Sequence, residues 1–117
     1  MGRSIAAVVL ALLVSWLALP VAAAERDWLV GKWELYHDPD GSPKDWLEFE
    51  RDGKMTSYSA KGRSVPGEYS INDGSISIVL DFGGKAVPLR VTYSPDRKKL
   101  LYYSSRSGNT AEYRKIK

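Results

Sequence analysis

Asn72-Asp73-Gly74-Ser75-Ile76-Ser77-Ile78-Val79-Leu80-Asp81-Phe82-Gly83-Gly84 is the stretch whose reading decides the fold. Successive side chains of a strand point to opposite faces, so Ile76, Ile78, Leu80 and Phe82 share one side of a strand running from Ser75 to Phe82. Asn72-Asp73-Gly74 before it and Gly83-Gly84 after it are residues that reach positive φ without strain, which two-residue hairpin turns require. A strand with a tight hairpin at each end belongs to an antiparallel meander.

Working outward, the same grammar repeats to both sides. Toward the C-terminus Val87, Leu89, Val91 and Tyr93 line a sixth strand, Ser94-Pro95-Asp96 turns, Lys99 to Ser105 is a seventh strand, and Thr110 to Ile116 an eighth after Ser107-Gly108-Asn109. Toward the N-terminus Val65 to Ile71 is a fourth strand, with Val65, Gly67, Tyr69 and Ile71 on one side. Lys61-Gly62-Arg63 joins it to a third, Lys54 to Ala60, which shows Met55, Ser57 and Ser59 to one face. Asp52-Gly53 precedes that strand and closes a hairpin with the second, Asp45 to Arg51. A loop dense in turn formers, Asp38 to Lys44, leads back to the first strand, Gly31 to His37, with Trp28 and Leu29 as a short cap before it. The expected fold is all-β: a small antiparallel up-and-down meander of about eight strands. It would form a closed or half-open barrel, because closure removes edges that invite aggregation.

The first residues have a different character. Arg3 precedes an apolar run from Ile5 to Val14 that resumes at Trp16, Pro20 interrupts it, and Val21-Ala22-Ala23-Ala24 offers the small residues of a cleavage site. Residues 1–24 read as a secretory signal peptide and 25–117 as the domain, exported to the periplasm or secreted, with no stable membrane anchor after cleavage. About 93 residues then remain, enough for one modest core. The chain has no cysteine, which excludes disulfides, thiolate metal sites and a thiol nucleophile.

Charge separates along the chain: residues 25–81 carry seven basic and twelve acidic side chains, residues 82–117 nine basic and two acidic. A dipolar surface follows, its positive part carrying Arg97, Lys98, Lys99, Arg106, Arg114, Lys115 and Lys117. Export argues against a nucleic-acid partner, so these basic C-terminal strands read as a solvated face or a protein-binding one.

Leu29-Val30-Gly31-Lys32-Trp33-Glu34-Leu35 resembles the Gly-x-Trp opening of lipocalins and of short bacterial lipocalin-like domains. Leu47-Glu48-Phe49, Asp52-Gly53-Lys54-Met55, Gly67-Glu68-Tyr69-Ser70-Ile71, Asp73-Gly74-Ser75-Ile76 and Glu112-Tyr113-Arg114 follow in an order similar to that group's short motifs. The chain is too short for a full lipocalin's longer strands and flanking helix. The resemblance implies a small barrel that binds a small apolar or amphipathic ligand.

Catalytic chemistry finds little support in the sequence, and no cofactor is implied. His37 is the sole histidine, and beside a Pro- and Gly-rich loop it reads as solvated. Asp38-x-Asp40 opens like a calcium loop, but Ser42 holds the third ligand position and Phe49 stands where the bidentate glutamate belongs, so no metal is expected. Glu48 and Glu50 share a face about 7 Å apart, a two-carboxylate spacing without a cleft. The inward row of strands three and four is small or polar at Ser57, Ser59 and Gly67 where other strands present large apolar groups. With Met55, Tyr69, Tyr93 and Tyr102 these residues form the candidate ligand pocket. Trp46, Tyr58 and Tyr103 alternate outward, and with the loop Asp38 to Lys44 they form the rival surface, that of a periplasmic inhibitor or immunity protein of a hydrolase. Trp33 and Arg114, brought together if the first and last strands pair, would stack as a structural latch. Mass analysis of protein recovered from the periplasm checks the leader: the expected chain starts at Glu25, and an intact Met1 or Gly2 start overturns cleavage.

Overall fold

The structure, a computed structural model, describes residues 25–117; the expected leader lies outside the described residues. Eight strands follow one another: β1 (Gly31–His37), β2 (Asp45–Phe49), β3 (Lys54–Ser59), β4 (Ser64–Asn72), β5 (Ser75–Phe82), β6 (Lys85–Tyr93), β7 (Lys99–Tyr103) and β8 (Thr110–Lys115). Each pairs antiparallel with the next and β8 returns to β1, so the meander is a closed up-and-down barrel. β1 and β5 have the expected bounds. β2 ends at Phe49 rather than Arg51, because Glu50 to Gly53 form the turn: Gly53 N donates to Glu50 O at 3.3 Å and Lys54 N to Asp52 Oδ1 at 3.0 Å.

An eight-stranded barrel has an interior just wide enough for side chains to fill. Its inward rows do so at one end, where Trp33, Phe49, Met55, Ile76, Ile78, Val91 and Leu100 are all buried. The Phe49 and Tyr69 rings meet edge to face at 5.1 Å. This end is the floor. It is sealed by the turn before β1, in which Leu29 N and Val30 N donate to Arg26 O at 2.9 and 3.1 Å and Leu29 is wholly buried. The Trp33 Nε1–H donates to Leu29 O at 2.9 Å, so the floor tryptophan holds its own plug. Trp28 lies outside it, edge-on to Trp33 and 4.9 Å from the Tyr93 ring.

Closure runs through Trp33↔Lys115, Glu34↔Arg114 and Leu35↔Tyr113, and then a bulge lets His37 face Glu112. The extra residue, Tyr36, is turned out and 60% exposed. The expected Trp33–Arg114 latch is corrected here. Outward and inward positions alternate, so Trp33 faces the core while the Arg114 guanidinium lies outside, 3.7 Å from the centre of the Tyr36 ring. An exposed stack of this kind contributes about 0.5–1 kcal/mol, whereas burying a large apolar side chain contributes about 1.5–3 kcal/mol. Trp33 burial, more than Arg114, holds the seam.

Gly31 is required by two facts at once. Its φ is +132°, and a Cβ on it would stand 2.2 Å from the Lys117 carbonyl oxygen, where the chain end crosses β1. The glycine of the Gly-x-Trp opening therefore admits the C-terminal backbone, and the tryptophan two residues on fills the floor. Gly31→Ala is expected to lower stability by about 2 kcal/mol or more, read in chemical denaturation; a loss below about 0.5 kcal/mol would show that the crossing relaxes freely.

Candidate functional site

The opposite end, the mouth, is less full. The Gly83-Gly84 turn makes Phe82 and Lys85 the closing pair of the β5–β6 hairpin, so β6 bonds to β5 through Lys85, Val87, Leu89 and Val91 and presents Ala86, Pro88 and Arg90 toward β7. Pro88 has no N–H to give, and β6–β7 pairing is confined to Thr92↔Leu101 and Tyr93↔Leu100. Above those pairs the two strands part. A cavity of about 210 Å³ lies there, floored by Leu47, Leu80, Leu89 and Val91 and rimmed by Asp45, Ser57, Tyr102 and Tyr113. It adjoins an outer hollow of about 190 Å³ that shares Asp45, Tyr102 and Tyr113 and is edged by Asp38, Asp40, Ser42 and Asn109. Together they form a cup with an apolar base and a polar lip.

The lip is fixed by two loops tied to each other. Asp38 accepts from Asp40 N at 2.9 Å and from Ser42 N at 3.2 Å, a compact turn in the β1–β2 loop. Hydrogen bonding from Ser42, then from Asp40 N, holds the Asp38 carboxyl below its usual value. Asp40 accepts from Ser107 Oγ and Asn109 Nδ2, both at 2.7 Å, which joins that loop to the β7–β8 loop. Both loop carboxylates are thus engaged by the protein. Asp45 differs: its Oδ1 is buried and no protein donor reaches it. Burial pushes the Asp45 carboxyl above its usual value, hydrogen bonding from Tyr113 offsets part of this, and the Asp38 charge adds to it. The Tyr113 phenol is pushed up in turn, by burial and then by the Asp45 charge.

Of the seven residues expected to line a pocket, the structure brings Ser57 and Tyr102 to the cup. Met55 and Tyr69 are packed into the floor, with the Tyr69 hydroxyl donating to Glu50 O. Gly67 opens no space toward the cup: a Cβ there would meet Val79 O at 2.7 Å and Met55 Sδ at 3.0 Å. Met55 and Gly67 do meet at a separate hollow of about 390 Å³ edged by Glu50, Lys54, Glu68 and Asp81. Tyr93 packs tilted against Trp28 and its hydroxyl accepts from Gly74 N at 3.1 Å. Ser59 accepts from Arg63 N in the β3–β4 turn. The cup's other members, Asp45, Leu47, Leu80, Leu89, Val91 and Tyr113, carried a readable signal, since each falls on the inward row of its strand. Asp45 shares the inward row of β2 with Leu47 and Phe49.

Elsewhere the outward aromatics are already partnered in part. Lys32 lies 4.8 Å from the Tyr58 ring and 6.0 Å from that of Trp46, and Tyr58 donates to Glu48 at 2.9 Å. Tyr103 is 62% exposed. Arg97, Lys98, Lys99, Arg114 and Lys115 gather around a hollow beside the floor, several of them engaged: Lys99 and Arg114 with Glu112, Lys115 with Trp28 O, Arg97 over the Trp28 ring. Arg106, by its place in the β7–β8 loop, is at the other end of the barrel. Among the described residues no group of three His, Asp and Glu side chains is gathered to hold a metal ion. Comparison of the chain with models of known families, with curated proteins and with solved structures finds no match.

A carboxyl whose pKa is raised on folding binds protons more tightly in the native state, so its contribution is full below the unfolded value, about 3.9, and is lost as pH rises through the folded one. Asp45→Asn is therefore expected to melt at or above the temperature of the parent at pH 7, with the difference shrinking below pH 4. A variant that melts lower at pH 7 would show that the charge is compensated within the fold.

Proposed function

We propose that the protein is an exported lipocalin-like binding protein that holds a small apolar or amphipathic molecule in the cup at the barrel mouth, without turnover. One observation carries the reading: the cup combines a floor of Leu47, Leu80, Leu89 and Val91 with four polar groups converging on its rim, the constitution of a ligand site. Its size sets the scale of the occupant. Sites for drug-sized ligands run about 300–1,000 Å³, while an apolar cavity of about 150 Å³ accommodates benzene. A volume of about 210 Å³ suits a single ring or a chain of roughly six to ten carbons. The rim supports binding rather than catalysis, its carboxylates, phenols, serine hydroxyls and one amide having no histidine beside a serine to activate it as a nucleophile. The Gly31-Lys32-Trp33 opening supports the lipocalin-like assignment through its physical role, glycine at the chain crossing and tryptophan in the floor. The apolar leader at 1–24 supports export to the periplasm or beyond.

A second reading, a protein-binding module such as an inhibitor or immunity protein of a hydrolase, is favoured by one feature. Tyr36 and Tyr103 stand 60% and 62% exposed on the outer wall formed by β1, β8 and β7, with Arg114 stacked on Tyr36.

Ser57→Phe tests the first reading, because a ring at that inward position fills the cup. Addition of 1-hexanol to the parent is expected to shift amide resonances of Leu47, Ser57, Leu89 and Tyr102 saturably. In the variant, folded by circular dichroism, those shifts are expected to be lost. Hexanol shifts absent from the parent, or persisting unchanged in the variant, would overturn the cup reading and leave the tyrosine wall as the better candidate.

A further inference from the structure

The cup has a chemical polarity that narrows what fills it. Three carboxylates surround its mouth, and two of them spend their oxygens on the loops: Asp38 on the Asp40 and Ser42 amides, Asp40 on Ser107 and Asn109. The third, Asp45, lines both the inner cavity and the outer hollow, so it stands at the throat between apolar base and solvent. Its Oδ1 is buried without a protein donor. The cations nearest in sequence are directed elsewhere. Lys44 pairs with Glu34 on the outer wall at 3.1 Å, while Lys61 and Arg63 border a separate groove at the β3–β4 turn. No Lys, Arg or His side chain lines either part of the cup.

A buried carboxylate oxygen that lacks a donor is costly to leave so, and a charged donor satisfies it best. Resting on the binding reading above, we propose that the ligand is a small aliphatic or aromatic amine, its ammonium group hydrogen-bonded to Asp45 at the throat and its hydrocarbon seated on Leu47, Leu80 and Leu89. Charge complementarity decides among headgroups. A carboxylate or phosphate would enter a throat edged by Asp38, Asp40 and Asp45 with no cation to receive it. A neutral hydroxyl could donate to the Asp45 carboxylate but brings no charge to offset it. The phenols of Tyr102 and Tyr113 add faces and hydroxyl oxygens that suit an ammonium ion.

Three probes with one six-carbon tail separate the headgroup from the cup: n-hexylamine, 1-hexanol and hexanoate, titrated calorimetrically at pH 7 into the mature protein and into Asp45→Asn and Ser57→Phe. Hexylamine is expected to bind the parent at least tenfold more tightly than hexanol, and hexanoate more weakly than either. Asp45→Asn, nearly the same shape, should bring hexylamine to within about threefold of hexanol. Hexylamine binding no tighter than hexanol, or a tenfold preference that survives Asp45→Asn, would overturn the amine assignment. The cup reading would then stand if hexanol binding is lost in Ser57→Phe. Binding of none of the three would overturn both.

Discussion

Everything in this barrel depends on the closure of β1 against β8, and closure depends on how the chain end passes Gly31. The Lys117 carbonyl occupies the space a side chain at position 31 would need, and Lys32 N donates to that same carbonyl at 3.2 Å. With the C-terminus held there, Trp33 two residues on sits 1% exposed between the first and last strands and reaches back to Leu29. A closed meander has no edges to protect, and among the described residues the barrel stands without a disulfide or a covering helix. The aromatic floor takes over what those devices would supply.

A floor so filled leaves the two ends of the barrel unequal. Below, side chains from β1 to β7 interdigitate and the turn at 26–29 seals the opening; above, β6 departs from β7 after two residue pairs, and the inward rows thin to Ser57, Leu89 and Tyr102. Local stability follows packing and hydrogen bonding. The upper halves of β6 and β7, which wall the cup, have few backbone bonds to each other.

Much of this architecture was legible in the sequence because its signals are local. Ile76, Ile78, Leu80 and Phe82 between two hairpin turns fix a strand and its face, and the same reading carried all eight strands in order. Closure was legible as a tendency, since an eight-stranded meander is better closed than open. The site was legible only in part, as Ser57 and Tyr102, because a cavity is a difference between neighbours across the barrel that strand periodicity does not encode. Gly67 shows why. Read along the chain it is a gap, but Met55 on the paired strand reaches into it, and only register reveals that Met55↔Gly67 are partners. The latch failed for a related reason: alternation places Trp33 and Arg114 on opposite sides of one wall, which neighbouring strands alone do not disclose.

Asp45 is the place where local consistency breaks. The inward row of β2 reads Asp, Leu, Phe, and two of the three obey the rule that core-facing positions are apolar. An asparagine or threonine there would close the row at less electrostatic cost, since either escapes the penalty of a half-buried charge. Tyr113 relieves some of that penalty and Asp38 aggravates it, so the fold around Asp45 does not compensate for it. A neutral residue at that boundary between apolar interior and solvent would avoid the burial cost that raises the Asp45 carboxyl. The fixed loops on either side hold the carboxylate at that boundary, with its Oδ1 buried and without a protein donor.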